Sequence, residues 1–218
     1  MKRIVVIGLG NFGATAAETL YGVGQEVAAL DTDEKRVERI APRVTLAAVG
    51  DGKDIKTLER IGARDADAAV VSMGDDIAES VLTTLALRDV GVQEIYVKVI
   101  SDNHARVMEK LGVTETIFPE RESGMRLGKR VASRWLLNYV ELTPGFSIQE
   151  MVVPHPWINR SLRELELPRN FRVSVVAVHD VLTDRISTIP DPDEPLRDSD
   201  TLLVAGLEED LSRVAEIR

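Results

Sequence analysis

From Arg3 to Phe118 short apolar runs alternate with amphipathic stretches, and few architectures accept that rhythm. The runs Arg3–Ile7, Glu26–Leu30, Thr45–Val49, Ala68–Ser72, Ile95–Val99 and Glu115–Phe118 read as six strands. Helical patterns over Phe12–Gly22, Glu34–Ala41, Ile55–Ile61, Ile77–Val90 and Asn103–Leu111 separate them. Such alternation builds βαβ units and hence a parallel sheet with helices on its faces. Aromatic residues are only 4% of the 218, so Val, Ile, Leu and Ala must fill the core, as buried parallel strands require. The expected class is α/β, a doubly wound parallel sheet.

The segment Gly8-Leu9-Gly10-Asn11-Phe12-Gly13 sits where the first strand hands over to the first helix. A glycine pattern of this spacing is weak evidence alone. It gains weight here because Asp31 closes the second strand, 18 residues after Gly13. In a Rossmann-type site Gly8 permits the tight turn, Gly10 lets backbone approach a diphosphate, and Gly13 lets helix and strand pack closely. The anion rests on free N–H groups at the positive end of the helix, so Asn11 and Phe12 belong to the site. The Asp31 carboxylate is placed to accept ribose hydroxyls and disfavours a 2′-phosphate, with Thr32, Asp33 and Arg36 beside it.

Two further clusters follow strand ends, where open α/β sheets bind ligands. Gly50-Asp51-Gly52 suits the adenine edge, and Ser72-Met73-Gly74-Asp75-Asp76 suits ribose and phosphates. Each suits a helix-capping loop equally well, since Asp and Ser are good caps. Lys98 is a charge within an apolar strand and calls for an anion or carboxylate nearby. Glu120, just after the sixth strand, fits a helix cap, a salt bridge or a cation ligand beside phosphates.

Other chemistries find little support. The net charge of −9 argues against a nucleic-acid partner. With no cysteine there is neither a disulfide nor a thiolate metal site. The three histidines share no metal-ligand spacing; His104 reads as a helix-surface residue and His179 as a strand-end residue. An NAD-dependent oxidoreductase is the alternative to a binding protein, yet no proton donor for hydride chemistry stands out. No stretch reaches the roughly 20 apolar residues of a membrane helix. The run after Met1-Lys2-Arg3 is too short for a secretion signal, so a cytoplasmic location is expected.

Past Pro119 the rhythm changes. Arg121–Val140 reads as one long helix with Met125, Val131, Ala132, Trp135, Leu136 and Tyr139 on one stripe. Arg126, Lys129, Arg130 and Arg134 lie off that stripe and read as a solvated face. After the break at Thr143-Pro144-Gly145, strands are expected over Phe146–Val153, Arg172–His179, Arg185–Ile189 and Thr201–Ala205. Helices are expected over Ser161–Leu167 and Glu208–Ile217, with the Ile189–Pro195 loop between. The domain boundaries are therefore 1–120 for the nucleotide domain, 121–139 for a crossover helix, and 140–218 for a small α+β domain.

Several motifs together resemble the RCK (regulator of potassium conductance) family, in its KtrA/TrkA branch of bacterial potassium-uptake regulators. They are Ile7–Gly13, Leu30-Asp-Thr-Asp33, Ser80-Val-Leu-Thr-Thr-Leu85, Tyr96-Val-Lys98, Phe118-Pro-Glu120 and Asn159-Arg-Ser-Leu-Arg-Glu-Leu165. The resemblance implies a non-enzymatic cytosolic subunit that pairs through the long helix and assembles into an octameric ring. That ring would dock on a KtrB- or TrkH-like membrane subunit and change potassium flux on binding ATP, ADP or NAD(H). It implies that Gly8, Gly10, Gly13, Asp31, Asp33, Asp51, Gly74 and Asp75 line the nucleotide site, with Lys98 nearby. Glu120 would hold a divalent cation, and cyclic di-AMP would bind near Ile158, Leu162 and Val175. One departure stands out: close relatives often carry Arg at position 11, where this chain has Asn11. A charged hydrogen bond there contributes about 1.5–3 kcal/mol. Its loss weakens the case for ATP over ADP and strengthens that for NAD(H).

Overall fold

A computed structural model describes residues 1–74, 76–132 and 136–217. The chain divides into two compact units, Met1–Arg121 and Glu122–Arg218.

In the first unit the strands are β1 (Arg3–Ile7), β2 (Glu26–Asp31), β3 (Leu46–Val49), β4 (Ala68–Val71), β5 (Glu94–Lys98) and β6 (Glu115–Ile117). They form one parallel sheet in the order β3-β2-β1-β4-β5-β6. The helices are α1 (Asn11–Gly22), α2 (Glu34–Ile40), α3 (Ile55–Arg60), α4 (Ile77–Asp89) and α5 (Asp102–Lys110). Successive side chains of a strand point to opposite faces, and the core splits accordingly. Val5 and Ile7 pack with Leu58, Leu87 and Met108 of α3, α4 and α5. Ile4 and Val6 pack instead with Ala17, Val37 and Ile40 of α1 and α2. The strand order reverses at β1, so the crevice for a ligand opens at the carboxyl ends of β1 and β4.

The second unit contains most of α6 (Pro119–Ala132), then β7 (Leu136–Thr143), β8 (Phe146–Val152), α7 (Leu162–Leu165) and α8 (Leu167–Phe171). The strands β9 (Ser174–Asp180), β10 (Arg185–Ser187) and β11 (Asp200–Leu207) follow, closed by α9 (Glu208–Ala215). Its sheet is antiparallel, in the order β10-β9-β11-β8-β7. Met151, Leu202 and Val204 meet Leu165, Leu167 and Leu211 in its core. Trp157 and Phe171 add a tilted ring contact at 5.8 Å between centroids. Ser161 opens α7 with a capping box, its hydroxyl accepting from the Glu164 N–H while the Glu164 carboxylate accepts from the Ser161 N–H.

The fold corrects the sequence reading in three places. The helix expected over Arg121–Val140 ends at Ala132, and Leu136–Thr143 is a strand. Tyr139, Val140 and Thr143 are strand formers, and Pro144-Gly145 turns β7 back onto β8 with Val140 opposite Ile148. The ladder formed by that hairpin outweighs the helical pattern there. Of the stripe, Met125 and Val131 are exposed and α6 buries no residue; Arg134 and Trp135 lie outside the described residues. The helix expected to end at Leu167 instead breaks at Glu166, whose φ of 43° is left-handed, and α8 follows. His104, read as a surface residue, is 1% exposed. It shares a face of α5 with Met108, and both turn inward.

Candidate nucleotide-binding site

The glycine turn is built into the sheet from both sides. Gly8 has φ +88°, and a Cβ on it would strike the Ser72 carbonyl at the end of β4. A Cβ on Gly13 would strike the Gly8 carbonyl. These two glycines are required by the protein's own packing. Gly10 is different: its φ is −64° and, among the described residues, nothing lies within 4 Å of a Cβ placed there. The space over Gly10 is open, at the N-terminus of α1.

Hydrogen bonds tie the neighbouring strand ends to this turn. The Gly8 N–H donates to the Leu30 carbonyl at 2.9 Å, and the Ser72 N–H to that of Ile7 at 2.8 Å. The Asp31 carboxylate is buried and accepts the Leu9 N–H at 2.6 Å and the Asp33 N–H at 2.8 Å. The Gly50 N–H donates to the Asp31 carbonyl at 3.0 Å. Turn, β2 end and β3 end therefore form one connected floor.

Charge at the helix ends separates α1 from its neighbours. Asp33 caps α2, Asp54 caps α3, Asp76 caps α4 and Ser101 caps α5, each side chain accepting a backbone N–H of the first turn. Gly10 offers α1 no side-chain cap, and the first turn of α1 has no acidic residue. The N–H groups of Asn11, Phe12 and Gly13 have no helical acceptor, since the first turn of any helix lacks one. A site for an anion is thereby left at the positive end of one helix out of five.

The remaining sequence candidates sort by place. Thr32 is exposed at the end of β2. Arg36 reaches back from α2, 3.5 Å from both the Asp31 and the Asp33 carboxylates. Asp51 accepts the Lys53 N–H at 2.9 Å. A Cβ on Gly50 or Gly52 would meet Thr57 or Ile7, so both glycines have packing reasons of their own. Met73 packs on the core, Gly74 is exposed, and Asp75 lies outside the described residues. Asp76 caps α4, its carboxylate accepting the Glu79 N–H at 2.9 Å.

Lys98 ends β5, two strands from β1, and its largely buried ammonium meets the Glu120 carboxylate at 2.6 Å. That hydrogen bond holds the Glu120 carboxyl below its ordinary range. The salt-bridge alternative for Glu120 thus describes its contact. Among the described residues no group of three or more His, Cys, Asp or Glu is arranged to hold a metal ion.

One pair escaped the sequence reading. The Lys53 ammonium donates to Glu79 at 2.5 Å and lies 3.5 Å from Asp51. It joins the β3–α3 loop to the first turn of α4. The Glu79 bond raises the lysine's proton affinity. The partners are 26 residues apart with no local pattern linking them, so only the fold brings them together.

Comparison with known proteins finds a family match for each of the two units. The TrkA-N domain model matches residues 4–119 and the TrkA-C domain model residues 148–218. The Ktr system potassium uptake protein C of Bacillus subtilis (strain 168) is 33% identical over 215 residues, 97% of this chain and 95% of that protein. The Ktr system potassium uptake protein A of Vibrio alginolyticus is 30% identical over 211 residues, with the same coverage. Among solved structures, the GsuK channel bound to NAD superposes with a TM-score of 0.68 at 15% identity. That match takes in 99% of this chain but 39% of the channel, and it shows a shared fold.

Proposed function

This chain belongs to the family that joins a TrkA-N to a TrkA-C domain, and on that footing we propose that it is a nucleotide-responsive regulatory subunit of a potassium-uptake system. The observation that carries the nucleotide assignment is the uncapped N-terminus of α1 above Gly10, closed in by Asp31. Its relatives are named potassium uptake proteins, which places the chain among transport proteins and not among enzymes. The oxidoreductase alternative falls with that.

In this reading a nucleotide diphosphate lies on α1. Asp31 offers its remaining lone pairs to the ribose, and the Asp51 loop faces the adenine. The NAD carried by a structural neighbour supports a dinucleotide as one ligand, and ATP and ADP compete for the same floor. Asn11 supplies hydrogen bonding without charge, which favours the ligand with fewer phosphate charges. A divalent cation at Glu120 would have to share that carboxylate with Lys98.

No helix of the described residues is long and apolar enough to cross a membrane. Action on ion flux then requires a membrane partner of the KtrB or TrkH kind, engaged from the cytoplasm. Self-assembly through α6, up to an octameric ring, is part of the same reading, because that helix exposes Met125, Leu127 and Val131. Cyclic di-AMP in the second unit, near Ile158, Leu162 and Val175, completes it; these three side chains flank the core of that unit. Two ligand-selected shapes with unequal fit to the partner would suffice for gating.

The test is a calorimetric competition among ATP, ADP, NAD and NADH, with and without magnesium, alongside the mass of the assembly. Binding of at least one nucleotide by an oligomer is the expected result. A monomer that binds none of the four overturns the proposal.

A further inference from the structure

A polar row crosses the second unit's sheet on the face opposite its core. Met151 and Leu202 point into the core, so Glu150 and Thr201, one residue away on the same strands, point to the other side. There Glu150 on β8 accepts from the Asn138 amide on β7 and from the Thr201 hydroxyl on β11 at 2.9 Å. His179 on β9 continues the row. Its Nδ1 lies 3.4 Å from Glu150 Oε1, and its Nε2 lies 3.1 Å from Asp184 Oδ1 in the turn before β10. Ile186 of β10 pairs with His179 and adds no charge. Asp180 is adjacent in sequence but points to the opposite face, 3.8 Å from Arg197.

A histidine between two carboxylates can satisfy both in only one protonation state. Imidazolium donates from both nitrogens; neutral imidazole donates from one and turns a lone pair on the other carboxylate. Glu150 is 16% exposed and keeps its Asn138 and Thr201 donors either way, whereas Asp184 is 94% exposed and can turn to water. The Asp184 contact is therefore the one that gives way. Asp184 also holds a left-handed backbone, φ 54°, which a non-glycine residue adopts at a cost.

We propose that His179 is a pH-operated clasp: protonated, it fastens Asp184 and the short edge strand β10 to the sheet, and on losing its proton it releases them. Thr183 and Arg185, on either side of Asp184, line an open cavity of about 260 Å³ facing Leu162 and the 190–197 loop. Release of the turn reshapes one wall of that cavity.

The two carboxylates raise the proton affinity of His179, Asp184 first and then Glu150, so the sign is fixed. The clasp is fully closed below the ordinary histidine value of about 6.5 and opens as pH rises through the raised value.

The experiment is hydrogen exchange on the full chain at about pH 6 and about pH 8.5, read at the Leu182–Ser187 amides and corrected for intrinsic exchange. Histidine NMR titration accompanies it. Wild type should lose about threefold in protection at the higher pH, the scale of an exposed ion pair. His179→Gln should show no such loss. Asp184→Asn, which tolerates the left-handed backbone, should also abolish it and move the His179 midpoint down. Should His179→Gln not fold, Asp184→Asn decides alone. An unchanged midpoint in Asp184→Asn, or equal protection of wild type at both pH values, overturns the clasp.

Discussion

The Asp31 carboxylate, at the end of β2, accepts the N–H of Leu9 at 2.6 Å in the middle of the glycine turn. The acid expected to read a ribose is thus also a fastener of the turn proposed to hold the phosphates. Replacing it with Ala leaves the Leu9 and Asp33 N–H groups without their acceptor, a loss of about 1–3 kcal/mol for each group left unsatisfied. Asp31→Ala should therefore lower stability in urea unfolding as well as nucleotide affinity. A variant of unchanged stability would show that the contact carries no structural weight.

Gly10 and Gly13 should respond oppositely to the same substitution. A methyl at Gly13 meets the Gly8 carbonyl, and overpacking of that kind costs about 1–3 kcal/mol. A methyl at Gly10 meets nothing among the described residues, so Gly10→Ala should stay within about 1 kcal/mol of wild type. Calorimetry on Gly10→Ala should nevertheless show weakened nucleotide binding. Equal unfolding midpoints for the two variants would contradict the geometry.

His104 should make the protein acid-sensitive. It is buried with neither ring nitrogen hydrogen-bonded, and burial lowers its proton affinity. Below about 6.5 the unfolded chain takes up this proton while the folded one resists, so stability falls as pH drops through that value. His104→Leu should flatten that slope and be as stable as wild type or more so at neutral pH, because an apolar side chain leaves no polar group orphaned. Urea unfolding at a series of pH values between about 5 and 7.5 measures both.

Tyr139 should titrate far above an ordinary tyrosine. Burial and the Glu141 and Glu208 carboxylates push it up to about 12, against an opposing pull from Lys129. The unfolded tyrosine ionises near 10, so this contribution to stability is complete below about pH 10 and is lost as pH rises toward the folded value. Absorbance titration of the phenolate should show a late phase that belongs to Tyr139. Tyr139→Phe should remove that late phase.

The first unit was legible because its signals are local. Alternating runs, the glycine turn and an acid at the end of β2 each lie within a few residues of the structure they specify. The same holds for Ser161, whose capping box with Glu164 needs only three residues of chain. What escaped was decided at a distance. Tyr139 and Val140 fit the end of a long helix until β8 offers them a ladder across Pro144-Gly145. His104 has the character of a surface residue until its place one turn before Met108 turns it inward. The Lys53–Glu79 pair exists only because the β3–α3 loop and α4 end at the same edge of the sheet. Asp76 shows another limit, since ligand contact and helix capping ask for the same residue, and its cap on α4 became visible only in the fold.

The uncapped end of α1 also bears on the protein without its ligand. A helix terminus carries roughly half an elementary charge, and α2 through α5 offset theirs internally. That of α1 faces solvent. Under the proposed function, small anions of the medium compete for the same N–H groups, and an arriving nucleotide has to displace them. Nucleotide affinity measured in phosphate buffer would then be a property of the solution as much as of the protein, and the proposed subunit would rest in a state that depends on the anions around it.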